Sequence, residues 1–248
     1  MSGTGRTEGG RGRLGSALSG LAVAVGCVLF LGGFVWGAVV YQPYTVPTDS
    51  MSPTVEAGDR VLAQRIDGSQ VRRGDVVVFT DKVWGDLPMV KRVVAVGGDK
   101  IACCDADGRM TINGKAVEEP YLRTKGPAST AFNATVPEGQ IFLLGDERMG
   151  SLDSRVHLQD PGQGSVPRTA VSARVDAVAW PLGGLVERPQ GFAGLPGGVS
   201  QPGPVKLVVG SVLAGVALIL GGAAYGPVAA FLRRRRAPGA RGRVMVDA

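Results

Sequence analysis

Histidine occurs once in this 248-residue chain and cysteine three times. Each scarcity removes a class of chemistry. A histidine-based hydrolase or a histidine-rich metal site would rest on His157 alone, and a lone imidazole in a polar loop reads as an exposed side chain. The cysteines build no framework. Cys27 lies inside an apolar run, where it serves as a small packing residue. Cys103 and Cys104 are adjacent. A vicinal disulfide is strained, which leaves the state of the pair open, and further ligands at metal-binding spacing are absent.

Charge is missing from two long stretches, Leu14–Val40 and Leu207–Leu232. Each exceeds the roughly 20 residues needed to cross a bilayer core. The first is also longer than the apolar part of a cleaved signal peptide, about 7–15 residues, and no small-x-small site closes it. Two buried helices of a soluble protein are the plain alternative, but arginines flank both runs. Two membrane spans are the better reading.

The formal net charge of +6 does not indicate a nucleic-acid partner once it is divided by region. Residues 41–204 carry 17 Lys and Arg against 19 Asp and Glu, whereas the remainder carries 10 basic and 2 acidic residues. The basicity therefore sits in the tails, at Arg6, Arg11 and Arg13 and at Arg233–Arg236, Arg241 and Arg243. Basic residues beside spans mark the cytoplasmic side. The expected order is a cytoplasmic tail (1–13), a span (14–40), an extracytoplasmic domain (41–188), a Gly/Pro spacer (189–204), a second span (205–232) and a cytoplasmic tail (233–248). The lipid bilayer is the first partner this implies. The spacer has no periodicity and reads as flexible.

Between the spans, short β-branched runs alternate with turn residues. Arg60–Arg65, Asp75–Thr80, Val90–Val96, Arg109–Asn113, Gln140–Leu144 and Val175–Trp180 read as strands. Asn113-Gly114 is a strong hairpin signal. No amphipathic helical period interrupts them, so the domain is expected to be predominantly β.

Two residues in this domain suggest chemistry. Ser50 stands in the Pro-bounded segment Pro47–Pro53, about ten residues beyond the first span. Lys91 is embedded in Met89-Val90-Lys91-Arg92-Val93-Val94. Burial among valines disfavours the ammonium form, as a lysine general base requires. A serine beside such an amine can act as a nucleophile without histidine. Alone, Ser50 reads equally as an ordinary turn, and Lys91 as a strand residue snorkelling to water. Lys82, Lys100, Lys115 and Lys125 lie in turns or polar stretches and read as solvated.

The companion blocks alter that balance. Gly58-Asp59, Arg73-Gly74-Asp75-Val76-Val77-Val78-Phe79 and Lys91-Arg92-Val93-Val94 follow the serine in order. Gly145-Asp146-Glu147-Arg148-Met149-Gly150-Ser151-Leu152-Asp153-Ser154-Arg155 comes last. Together the blocks resemble bacterial type I signal peptidases, the Ser–Lys endopeptidases that remove signal peptides from exported preproteins. The likeness runs from Tyr44 to Trp180 and includes the anchor before it.

That resemblance implies an all-β catalytic domain of antiparallel sheets with a small barrel-like core, flanked here by N- and C-terminal transmembrane helices. It implies Ser50 as nucleophile, Lys91 as general base, and an oxyanion hole from Thr48 and the Ser50 backbone. Ser151 corresponds to a lysine-orienting hydroxyl. Met51 and Pro53 correspond to the loop shaping the substrate cleft, and Asp146, Arg148, Asp153 and Arg155 to structural support. Secretory preproteins are the implied substrates, with cleavage after small residues of Ala-x-Ala type, and no metal or cofactor is implied. Two departures stand out: Glu147 where the family commonly has asparagine, and Met149-Gly150 where polar residues are usual. A lysine at 91 also separates the chain from the endoplasmic-reticulum branch, which has histidine there.

Overall fold

The computed structural model describes residues 9–123 and 130–236. Tail residues 1–8 and 237–248, and Lys125, lie outside the described residues. The chain divides into a helical unit drawn from its two ends and a β-domain, Ala38–Val205.

In the helical unit, α1 (Gly9–Val40) and α2 (Val205–Arg236) contain the apolar windows Leu14–Val40 and Val205–Ala229, each with a mean hydropathy of 2.3. Their apolar side chains point outward all round, as at Leu21, Val28, Leu213 and Leu220. Both helices are long and apolar enough to cross a membrane. The two helices run antiparallel and approach through small residues. Ser19 Oγ donates to the Gly222 carbonyl at 2.7 Å, and a Cβ on Gly26 would stand 2.8 Å from the Gly215 carbonyl. Close backbone contact of this kind is how helices associate where no hydrophobic force drives them together.

The β-domain contains β1 (Tyr41–Thr45), β2 (Arg60–Arg65), β3 (Val76–Phe79), β4 (Met89–Val96), β5 (Lys100–Cys103) and β6 (Met110–Ile112). It continues with β7 (Lys115–Ala116), β8 (Phe132–Thr135), β9 (Gln140–Leu144), β10 (Val166–Pro167), β11 (Val171–Trp180) and β12 (Gly184–Leu185). All pairings are antiparallel. An eight-stranded sheet runs β1-β2-β11-β3-β4-β9-β10 with β12 beside β11, and a four-stranded sheet runs β7-β6-β5-β8. The larger sheet curls into a half-barrel.

Alternation along the strands buries both faces of this sheet. In β3, Val76 and Val78 face one cluster with Val46, Met51 and Val175, while Val77 and Phe79 face another with Val93 and Leu143. In β9, Ile141 and Leu143 join the latter, and Phe142 and Leu144 pack under the small sheet with Ile101, Ile112 and Phe132. A sheet buried on both faces reads as continuous apolar runs. The Asn113-Gly114 turn links β6 to β7 with φ of 54° and 76°, the doubly left-handed form such hairpins need. Cys103 and Cys104 are bonded to each other.

The stretch 189–204, read above as a flexible spacer, is docked on the β-domain. Phe192 is fully buried and Leu195 nearly so, both in the core beneath the small sheet. Arg73 Nη1 donates to the Pro196 carbonyl at 2.5 Å, Arg188 Nε donates to Ser200 Oγ at 3.0 Å, and Ser200 Oγ donates to buried Asp75. Composition alone conceals this, because two apolar anchors and one serine hold a segment that is otherwise Gly and Pro. At its end, a Cβ on Gly203 would strike Asp176, Gln64 and Tyr41, so the strap closes against the first strand pair.

The strap is thus part of the folded domain. Phe192→Ala is expected to cost about 3–5 kcal/mol of stability, the range for emptying a buried aromatic site. Unfolding followed in detergent checks this; a loss below about 1 kcal/mol would mean the strap is peripheral to the core.

Candidate active site

Ser50 sits on the loop between β1 and β2. The loop is closed at its base by Val46 N donating to Asp59 O at 2.9 Å and Gly58 N donating to Val46 O at 2.8 Å. Inside it, Ser52 N donates to Asp49 O and Val55 N to Met51 O, while Met51 and Val55 are fully buried. Apolar anchors pointing inward leave Ser50 on the outer surface of the loop.

Lys91 lies in the middle of β4, opposite Val77 of β3. Its Nζ is 2.7 Å from Ser50 Oγ, across 41 residues of sequence. Only 6% of Lys91 is exposed. Burial pushes its pKa below the ordinary lysine value, against the opposing pull of the Asp153 and Asp146 carboxylates. Of the neighbouring valines, Val94 packs beneath the small sheet and Val93 on the other core face, as expected of alternating strand positions. Thr48 Oγ1 is 3.2 Å from Ser50 Oγ.

The loop 145–155 forms the other side of the site, and its charges other than Glu147 are paired. Asp146 receives two bonds from Arg92, Nε at 2.8 Å and Nη2 at 2.7 Å, and both residues are almost fully buried. Asp153 receives Arg155 Nε at 2.8 Å and the Gly145 N–H at 3.0 Å. Arg148 donates to the Gly145 carbonyl at 3.2 Å and pairs with Glu119, and Arg155 Nη2 donates to the Arg148 carbonyl at 2.7 Å. The Glu147 N–H donates to the Ser50 carbonyl at 3.1 Å, which ties this loop directly to the serine.

Ser151 is buried beside Ser50, and its Oγ makes no hydrogen bond among the described residues. A bond from it to Lys91, implied by the resemblance, is not formed in this structure. Met51 does not line the cleft; it belongs to the core under the loop. Pro53 instead lines a second cavity, with Thr54, Arg92 and Tyr121. The loop turns its first half toward Lys91 and its second half away, which sequence order alone does not reveal. His157 is remote from this chemistry: it stacks on Trp84 with centroids 4.6 Å apart and meets Asp160 at 2.7 Å.

Three supporting residues carried no clear signal in sequence. Thr54 Oγ1 bonds both Arg92 and Asp146, Tyr121 lies under the Arg92 guanidinium at 4.0 Å, and Glu119 takes the charge of Arg148. Each comes from a loop whose path depends on the tertiary fold. Among the described residues, no group of three or more His, Cys, Asp or Glu side chains is placed to hold a metal ion.

Gly145 is where the two loops touch. A Cβ there would overlap Ser151 Oγ and the Ser50 carbonyl. Under the Ser–Lys chemistry that the resemblance implies, Gly145→Ala is expected to displace Ser50 and lower kcat/KM by about 100-fold, the cost of misplacing a reacting group by an ångström. The loss of stability should be only about 1–3 kcal/mol. Kinetics measured beside thermal unfolding separates the two effects, and full activity would show that the contact is not constraining.

Comparison with known proteins gives the family. Residues 18–180 match the family described as signal peptidase, peptidase S26. A probable signal peptidase I of Mycobacterium leprae (strain TN) is 31% identical over 207 residues, covering 60% of this chain and 71% of that one. A signal peptidase I of Bacillus caldolyticus is 35% identical over 158 residues, covering 58% and 81%. The crystal structure of a signal peptidase I from Enterococcus faecalis V583 aligns with a TM-score of 0.35 and 26% identity, over 42% of this chain and 95% of that chain. With the family match spanning the Ser50 loop, β4 and the 145–155 loop, this chain belongs to the S26 signal peptidases.

Proposed function

We propose that the protein is a membrane-bound serine endopeptidase that cleaves signal peptides from exported preproteins with a Ser50–Lys91 dyad. The observation that carries this reading is the 2.7 Å approach of a buried, unpaired lysine amine to a serine hydroxyl on a rigid loop. Burial lowers the Lys91 pKa, so a larger fraction of the amine is neutral and can accept a proton.

In the first step Ser50 Oγ attacks the scissile carbonyl while its proton passes to Lys91 Nζ. The carbonyl becomes an oxyanion, held by the Ser50 N–H and the Thr48 hydroxyl. For this, Thr48 Oγ1 must turn its proton from Ser50 Oγ to the oxyanion, a rotation about one side-chain bond. Collapse breaks the C–N bond, and the lysine ammonium supplies the proton to the leaving amine. The same amine, neutral again, then takes a proton from water as it attacks the ester, and returns it to Ser50. Substrates with small residues at the cleavage site, of Ala-x-Ala type, fit this family reading. Processing of one dedicated preprotein is the narrower version of the same function.

Ser50→Ala and Lys91→Ala should each reduce processing of a model preprotein by at least about 10⁴-fold, because members of such a unit are not independent. Both variants should remain folded and membrane-inserted. For the wild type, kcat/KM should rise with pH as Lys91 loses its proton. Because burial lowers the Lys91 pKa, the midpoint should lie below the ordinary lysine value of about 10.4. Full activity of Lys91→Ala, or an acidic limb that disappears in a His157 variant, would overturn the assignment.

We further propose that α1 and α2 both cross the cytoplasmic membrane, with both termini cytoplasmic and the β-domain outside. The support is the basic character of the two ends against the near-neutral domain between them. A reporter fused after residue 248 should be active only in the cytoplasm. Activity outside would contradict the second crossing.

A further inference from the structure

The cleft containing Ser50 has a volume of about 430 Å³, and the acidic and basic residues lining it are Asp49, Lys91 and Glu147. Other carboxylates of the site are neutralised at close range: Asp146 by Arg92, Asp153 by Arg155 and Glu119 by Arg148. The two that line the cleft are treated differently. Asp49 accepts a backbone N–H from Ala57 at 2.9 Å, and Glu147 accepts one from Met149 at 3.4 Å. Neither makes an ion pair among the described residues.

Glu147 is also the better placed of the two to meet a substrate. Its backbone N–H donates to the carbonyl of Ser50 itself at 3.1 Å, and it lines the same cleft as that serine. It is half-buried, so its carboxylate keeps part of its hydration and remains available to a partner. During the attack Lys91 must be uncharged, and the cleft then presents two carboxylates with no cation beside them. A peptide bringing an acidic side chain into that space meets repulsion, and one bringing an ammonium or guanidinium supplies the missing partner.

We propose that Glu147 is a specificity-determining residue: with Asp49 it makes the cleft select a Lys or Arg side chain near the scissile bond. This rests on the peptidase reading above and deepens it, by naming a charge class of substrate.

The test uses the full-length protein in detergent and peptides carrying an Ala-x-Ala cleavage site. Lys, Gln or Glu is placed in turn at each of the three positions on either side of the bond. At one position or more, kcat/KM for Lys should exceed that for Glu by roughly 5- to 10-fold, as two partly exposed charge contacts supply. Raising salt should shrink the ratio, since screening acts on exposed charges over about 10 Å at 0.1 M. Glu147→Gln should bring the ratio to within about 2-fold of unity, with a smaller fall in Asp49→Asn. Ratios near one at every position in the wild type, or a ratio that survives Glu147→Gln, overturn the proposal. Should that variant fail to fold, a wild-type ratio insensitive to both salt and Asp49→Asn overturns it equally. Wild-type failure to cleave even the neutral peptide would overturn the peptidase reading, and this inference with it, whereas cleavage without charge preference removes the inference alone.

Discussion

Everything at this site depends on keeping one buried amine without a close carboxylate partner. Lys91 and Arg92 are consecutive on β4, yet the fold treats them oppositely. Arg92 is given a two-pronged bond to Asp146, a hydroxyl from Thr54, the Gly74 carbonyl and the face of Tyr121. Lys91 is given Ser50. The carboxylates that pull most on the Lys91 charge are Asp153 and Asp146, and each is claimed by a buried arginine, Arg155 or Arg92. Removing an arginine would release a charge toward the lysine and leave it uncompensated in the interior. In the proposed mechanism these arginines are positioning residues, acting through the Lys91 amine whose neighbouring carboxylates they occupy.

The half-barrel supplies the rigidity that such an arrangement needs. β4 is an interior strand, hydrogen-bonded to β3 and β9, so the Lys91 backbone has no freedom to move its amine away. The Ser50 loop is closed at its base and anchored by Met51 and Val55, and Gly145 lets the last loop approach the serine without a side chain between them. The strap at 189–204 covers the core behind this region with Phe192 and Leu195.

The sequence revealed the parts whose physics is local. Arg60–Arg65 and Gln140–Leu144 stand out as β-branched or apolar runs between turn residues, and they form β2 and β9 with those bounds. β1 was hidden by Pro43, which a strand tolerates only at an edge, where β1 lies. β5 and β8 are four residues each and too short to show a pattern. The Ser50 and Lys91 blocks were legible because their residue types are unusual in those settings. The roles of Glu119, Tyr121 and Thr54 were not, since an ordinary loop residue becomes support only when the fold brings it to Arg92 or Arg148. The strap misled for a related reason: Gly and Pro content reports backbone freedom in the unfolded chain, while Phe192 and Ser200 decide whether the segment docks.

The direct measure of the central claim is the protonation of the Lys91 amine itself. Lysine labelled with ¹³C at Cε, followed by NMR through a pH titration and assigned by the signal missing in Lys91→Ala, reports it without relying on turnover. The burial seen here predicts an inflection below the ordinary value of about 10.4, coincident with the acidic limb of kcat/KM. A Lys91 signal titrating at the ordinary value, while activity is already maximal at lower pH, would contradict a neutral lysine as the base.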